Sequence, residues 1–143
     1  MPFFNLILNA TNMEFFKIID IPITQEQLTK KLALSNLENL SNQIFPIAEP
    51  QNKLVEIGSL WGEFSLLREE IKGGVRFALM ECPNALAWTV TTGYDPAPKG
   101  VVIHLTINRK EINQEFLEEI EDFLNDQVEC LMGQLSTIKR TSG

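Results

Sequence analysis

The sequence predicts an α+β fold: an antiparallel sheet of about four to five strands in a meander, N-terminal helices, and a long C-terminal amphipathic acidic helix packed on the sheet. Three observations carry this expectation. Apolar residues recur at three- and four-residue intervals from Phe116 to Leu135. Between about residues 54 and 108 the period drops to two, and most breaks are too short for parallel crossovers. Ahead of the sheet, Thr24-Gln25-Glu26-Gln27 and Ser35-Asn36-Leu37-Glu38 both have the form of a capping box, a hydroxyl residue followed three places later by Gln or Glu.

The N-terminal part, about 11–45, reads as helical. The first capping box leads into Leu28 and Leu32, the second into Leu37, Leu40 and Ile44. Residues 11–20 fit either a helix capped by Thr11 and Glu14 or a strand through Phe15-Phe16-Lys17-Ile18-Ile19. Pro46 and Pro50 close the region. In the sheet part, about 54–108, a strand from about Trp61 to Ile71 is joined by Lys72-Gly73-Gly74 to one marked by Val75, Phe77 and Leu79. A third, Ala85 to Thr92, puts Leu86, Trp88 and Val90 on one face, and a fourth, Val101 to Ile107, alternates cleanly. The loop Gly93 to Gly100 is the longest link, stiffened by its prolines. The terminal helix spans about 113–135, with Asn113 as N-cap and acids over the positive end of the helix dipole.

At 143 residues, 44% hydrophobic and 22% charged, the chain is of a size and composition to fold as a single domain without metal or disulfide staples. Cys82 and Cys130 are far apart in sequence and form neither a disulfide framework nor a zinc motif, which fits a reducing cytoplasm. The opening Met1 to Leu8 is apolar but has no basic residue before Lys17, so it is not read as a signal sequence, and no stretch approaches the length of a membrane span. The net charge of −7 is concentrated in one segment. Glu111 to Leu135 holds eight acids and no Lys or Arg. That field repels polyanions, so neither nucleic acid nor an anionic membrane is expected as a partner.

Chemistry-bearing candidates each meet a plainer reading. Thr24 to Ile44 has the outline of a helix-turn-helix, but its second helix offers no cation for phosphates, so a helical hairpin on the sheet is expected. Glu115, Glu118, Glu119, Asp122, Asp126 and Glu129 lie opposite the apolar stripe and are expected to be hydrated, available for docking a basic partner. His104, the only histidine, points away from Ile103 and Leu105 and has no motif around it. Gly58-Ser59-Leu60-Trp61-Gly62 misses the nucleophile-elbow spacing by one place, and Gly73-Gly74 does not precede a helix as a phosphate loop would. Cys82 sits in Glu81-Cys82-Pro83-Asn84, a strand-end turn without nearby cations to activate a thiolate. Trp61, Trp88 and Tyr94 are either core aromatics or a ligand-stacking cluster.

The layout from Thr24 to Leu135, most specifically Val101–Ile107 running into Asn113–Leu135, resembles the type III secretion chaperone-like fold, including the YbjN-like small acidic proteins. The resemblance implies a homodimer that binds protein segments without chemistry, and it transfers no functional residue. The expectation is therefore a non-enzymatic protein-binding or chaperone-like protein with no cofactor and no metal. Its candidate binding residues are Trp61, Trp88, Tyr94, His104, Glu118, Glu119 and Asp122. The alternative is a small-molecule-binding protein or enzyme, with a pocket between sheet and N-terminal helices near Trp61, Trp88, His104 and the Tyr94 loop.

Overall fold

The structure is a computed structural model. It describes residues 12–142, with side chains described through residue 136. The opening Met1 to Leu8, where no signal sequence is expected, and the alternative cap Thr11 lie outside the described residues.

In chain order the elements are β1 (Met13–Ile19), α1 (Gln25–Lys31), a 3-10 turn (Leu34–Asn36), α2 (Leu37–Leu40), β2 (Ile44–Pro46), β3 (Leu54–Ser59), β4 (Gly62–Ile71), β5 (Gly74–Met80), β6 (Ala87–Thr91), β7 (Val101–Ile107) and α3 (Gln114–Ser142). The sheet has seven strands rather than four to five, all antiparallel, in the order β1-β7-β6-β5-β4-β3-β2. Strands β2 to β7 form the expected meander. Beyond the four strands read from the sequence, the additions are β3 and the short β2, whose Ile44 was expected to be helical, at one edge, and at the other β1, which pairs along its length with β7, from Met13 opposite Ile107 to Ile19 opposite Val101. Residues 13–19 are thus strand, and the helical reading of the region from 11 is corrected there. The connection from β1 to β2 carries α1 and α2 from one sheet edge to the other.

Register divides the sheet into two faces. Phe15, Leu105, Trp88, Phe77 and Arg68 stand opposite one another across five strands and point to the same side. The buried residues Ile57, Leu66, Val75, Leu79, Leu86, Ile103 and Ile107 share this face, and the helices cover it. From α3, Ile120, Phe123, Leu124, Leu131 and Leu135 join one continuous apolar cluster with them. The open face is mixed: Phe16, Phe45, Leu54 and Met80 are exposed beside Glu56, Glu69, Arg76 and His104.

The first capping box forms as read. Thr24 Oγ1 accepts from the Gln27 amide at 3.1 Å, and Gln27 Oε1 accepts from the Thr24 amide at 3.1 Å. The second does not: Leu34–Asn36 is a 3-10 turn, and α2 is one turn long with no side-chain cap. Arg68, on the covered face of β4, fixes α1 to the sheet. Its Nε donates to the Leu32 carbonyl at 2.7 Å, and its terminal nitrogens reach the Thr29 carbonyl at 3.0 Å and Glu70 at 3.3 Å.

Helix α3 extends beyond the expected end at 135 to Ser142. One of its acids departs from the hydrated expectation. Asp126 is buried against the segment after α2, accepting from the Ser41 hydroxyl at 2.7 Å, the Asn42 amide at 3.0 Å and the Asn42 side-chain amide at 3.1 Å. A helical acid one turn from Asp122 turns inward because this segment brings buried donors that need an acceptor.

Candidate functional site

A meander alternates its connections between the two ends of the sheet. The β3–β4 turn, the β5–β6 loop and the β7–α3 link therefore gather at one end, over the first turns of α3. Between them lies a cleft of about 400 Å³ lined by Trp61, Phe64, Leu86, Ile112 and Phe116, with Cys82, Pro83, Asn84, Arg109, Asn113, Glu115 and Glu119 supplying polar groups and edges. A wider depression of about 730 Å³ beside α1 is walled chiefly by Gln25, Glu26, Thr29, Lys30 and Arg68 and has no aromatic side.

Each wall has a local cause. In the β3–β4 turn, Ser59 Oγ donates to the Gly62 carbonyl at 2.8 Å and accepts from the Trp61 amide at 3.1 Å, while Gly62 takes a φ of 119° that side-chain-bearing residues avoid. This holds Trp61 over α3, where its Nε1 donates to Glu119 Oε1 at 3.2 Å and its ring meets Phe116 edge-on at 6.0 Å. In the β5–β6 loop, Glu81 and Ala85 have φ of 67° and 49°, left-handed conformations that cost non-glycine residues about 1 kcal/mol each. Between them Cys82, Pro83 and Asn84 face the cleft. The loop is tied to the β7 end twice: Asn108 donates its amide to the Asn84 carbonyl at 2.8 Å, and Arg109 donates to Asn84 Oδ1 at 3.0 Å. Asn113 caps α3 as expected, accepting from the Phe116 amide at 2.7 Å.

Beneath the cleft the interior is filled. Phe123 sits between Trp61 at 5.3 Å and Trp88 at 5.1 Å, and Trp88 stacks on Phe77 at 5.3 Å. Trp88 is 2% exposed, and its Nε1 meets no acceptor among the described residues.

The seven residues expected at a site are not brought together. Trp61 and Glu119 meet at the cleft. Trp88 lies in the core below it. Tyr94 is at the opposite end of the sheet, where its hydroxyl donates to the Lys72 carbonyl at 3.2 Å. His104 is on the open face, stacked on Phe16 at 4.3 Å with its Nε2 3.0 Å from Glu14. Glu118 is exposed and accepts from Gln114 at 3.3 Å, and Asp122 is exposed, its main-chain carbonyl 3.5 Å from Gln43 Nε2. A pocket between sheet and N-terminal helices joining Trp61, Trp88, His104 and Tyr94 is thus corrected to a cleft between sheet and C-terminal helix. Sequence reasoning missed Phe64, Asn84, Arg109, Ile112 and Phe116 as a group. The available signal was connection parity: counting strands places residues 60–61, 81–86 and 108–113 at one end.

Cys82 and Cys130 are both free thiols. Burial, and after it the Asp126 carboxylate, push the Cys130 thiol above its ordinary range. Among the described residues no cluster of His, Cys, Asp and Glu is disposed to hold a metal ion, and no helix is long and apolar enough to cross a membrane.

No family model matches the sequence, and no curated protein matches it. Solved structures do. The protein XoxI from Bacillus cereus is similar with a TM-score of 0.60 at 11% identity, over 90% of this chain and 98% of that one. An uncharacterized protein from Bacillus thuringiensis gives a TM-score of 0.57 at 10% identity, over 87% and 98%. The AHSA1 protein from Silicibacter pomeroyi gives 0.50 at 12% identity, over 88% and 98%. At these identities the likeness is one of fold, which in this chain is an antiparallel sheet closed on one face by a long C-terminal helix.

Proposed function

We propose that this protein binds a small organic molecule in the cleft at the Trp61 end of the sheet. The observation that carries the reading is the cleft itself: about 400 Å³, walled by Trp61, Phe64, Leu86, Ile112 and Phe116 and bordered about equally by the polar side chains of Asn84, Arg109, Asn113, Glu115 and Glu119. That size lies within the range of small-molecule sites, in which apolar walls supply affinity and polar groups supply orientation. The two left-handed residues flanking Cys82–Asn84 add support, because backbone strain concentrates where a loop is held for a purpose. The reading is one of binding rather than chemistry. His104 lies across the sheet from the cleft, and no base is hydrogen-bonded to Cys82 among the described residues. A reducing cytoplasm suits two free thiols.

A thermal-shift screen of small aromatic and aliphatic compounds tests this. A ligand present at about 100 times its Kd adds about 2.7 kcal/mol of stability. The stabilisation is expected to vanish in Trp61→Ala. Stabilisation that survives this substitution places the ligand elsewhere.

A second reading, a chaperone-like homodimer that binds protein segments as the type III secretion chaperone resemblance implies, draws on the open face. Phe16 and Ile18 on the edge strand β1 are 56% and 50% exposed. Edge strands and exposed apolar rows are where chains add to a sheet. Light scattering after size exclusion decides it: a monomer at micromolar concentration removes this reading and leaves the cleft untouched.

A further inference from the structure

We infer that the guest of the cleft is a zwitterion, carrying a cationic and an anionic group at opposite ends of an apolar or aromatic body. The inference rests on the reading of the cleft as a ligand site and names the ligand class. Arg109 lines the cleft, held by the neutral side chain of Asn84. Glu119 lines it as well, oriented by the Trp61 indole through Oε1, with no donor to its Oε2 among the described residues. Glu115 lines the cleft beside it. Opposite charges elsewhere in the chain find each other, as in Lys17–Glu121 at 3.1 Å, Arg68–Glu70 at 3.3 Å and Arg76–Glu69 at 3.3 Å. Arg109 forms no ion pair with Glu115 or Glu119, although all three line one small cleft.

Arg109 and Glu119 are anchored to different parts of the fold. Arg109 follows the end of β7, whereas Glu119, on α3, is hydrogen-bonded to Trp61 from the β3–β4 turn. Three strand spacings, about 14 Å, separate β7 from β4. Phe64, Leu86 and Phe116 lie in the cleft with these charges. A simple anion would meet Arg109 but also two carboxylates, and a simple cation the reverse. A molecule with both charges satisfies the guanidinium and the carboxylates together, and its body covers the apolar wall.

A matched set of probes tests this: 4-(2-aminoethyl)benzoate as zwitterion, 2-(4-methylphenyl)ethylamine as cation, 4-ethylbenzoate as anion and 4-ethyltoluene as neutral body. Binding is followed at the Trp61 indole N–H resonance. The zwitterion is expected to bind at least about tenfold more tightly than either singly charged probe, the ratio that corresponds to about 1.4 kcal/mol. Arg109→Gln should bring it down to the affinity of the cation. Glu119→Gln, which keeps an oxygen for Trp61, should bring it toward that of the anion, and an unchanged Trp61 resonance in the free variant shows that the wall is intact. Equal affinities for all four probes, or a preference that survives both substitutions, overturn the zwitterion and leave the cleft. A Trp61 resonance unmoved by every probe removes the cleft reading itself.

Discussion

Replacing Asp126 should be far more damaging than its place in an acidic helix suggests. The carboxylate is 9% exposed and accepts from the Ser41 hydroxyl and from both nitrogens of Asn42. Ser41 Oγ in turn accepts from the amides of Gln43 at 3.0 Å and Ile44 at 3.2 Å, so one carboxylate anchors the whole entry to β2. Hydrogen bonds to a charged acceptor contribute about 1.5–3 kcal/mol each, and a buried donor left unpaired costs about 1–3 kcal/mol. Partial rescue by water at the exposed Asn42 side leaves an expected loss of about 3–4 kcal/mol for Asp126→Ala. Asp126→Asn should lose about 2–3 kcal/mol, because its amide nitrogen would have to face one of the three donors. Asp122→Ala, one turn away and exposed, should stay within about 0.5 kcal/mol of the parent. Urea unfolding, followed by far-ultraviolet circular dichroism and by tryptophan fluorescence, measures all three. With a slope of about 2 kcal/mol per molar, Asp126→Ala should lower the midpoint by about 1.5–2 M. A midpoint for Asp126→Ala indistinguishable from that of Asp122→Ala would refute the reasoning, since the carboxylate would then be hydrated like its neighbours.

Two further outcomes follow from particular contacts. Arg68→Ala removes two charge-assisted bonds from the end of α1 and should cost about 2–3 kcal/mol, whereas Arg68→Lys, with one nitrogen for two carbonyls, should recover about half; equal losses in the two unfolding curves would show that only the aliphatic stem matters. In a Cys82→Ser background, alkylation of Cys130 followed by mass spectrometry should show a pH midpoint above that of an ordinary thiol, because burial and the Asp126 charge both disfavour the thiolate. Adding Asp126→Asn should move that midpoint down, and no movement would mean that the carboxylate does not act on the thiol.

Much of the architecture is legible in the chain because it is local. The stripe from Phe116 to Leu135, the Thr24–Gln27 box, the Asn113 cap and the Lys72-Gly73-Gly74 turn each depend on residues within a few positions of one another. Strand β1 is different. Met-Glu-Phe-Phe-Lys-Ile-Ile has apolar residues on both faces, so its period is blurred, and its partner β7 is more than eighty residues away. The candidate site was half legible for the same reason. Alternation put Trp88 on one face with Leu86 and Val90 and turned His104 away from Ile103 and Leu105, yet the join of Trp61 to Glu119 spans 58 residues.

The sequence by itself determined the class of fold, the meander, the long acidic helix and the absence of any local catalytic signature, since periodicity and turn chemistry act over a few residues. Only the tertiary structure decided that the sheet has seven strands, that Asp126 faces inward, and that Arg109 and Glu119 border one cleft. The physical reason is common to all three. A side chain's surroundings depend on which distant segment is folded against it, and pairing between distant segments leaves no repeat in the local order of residues.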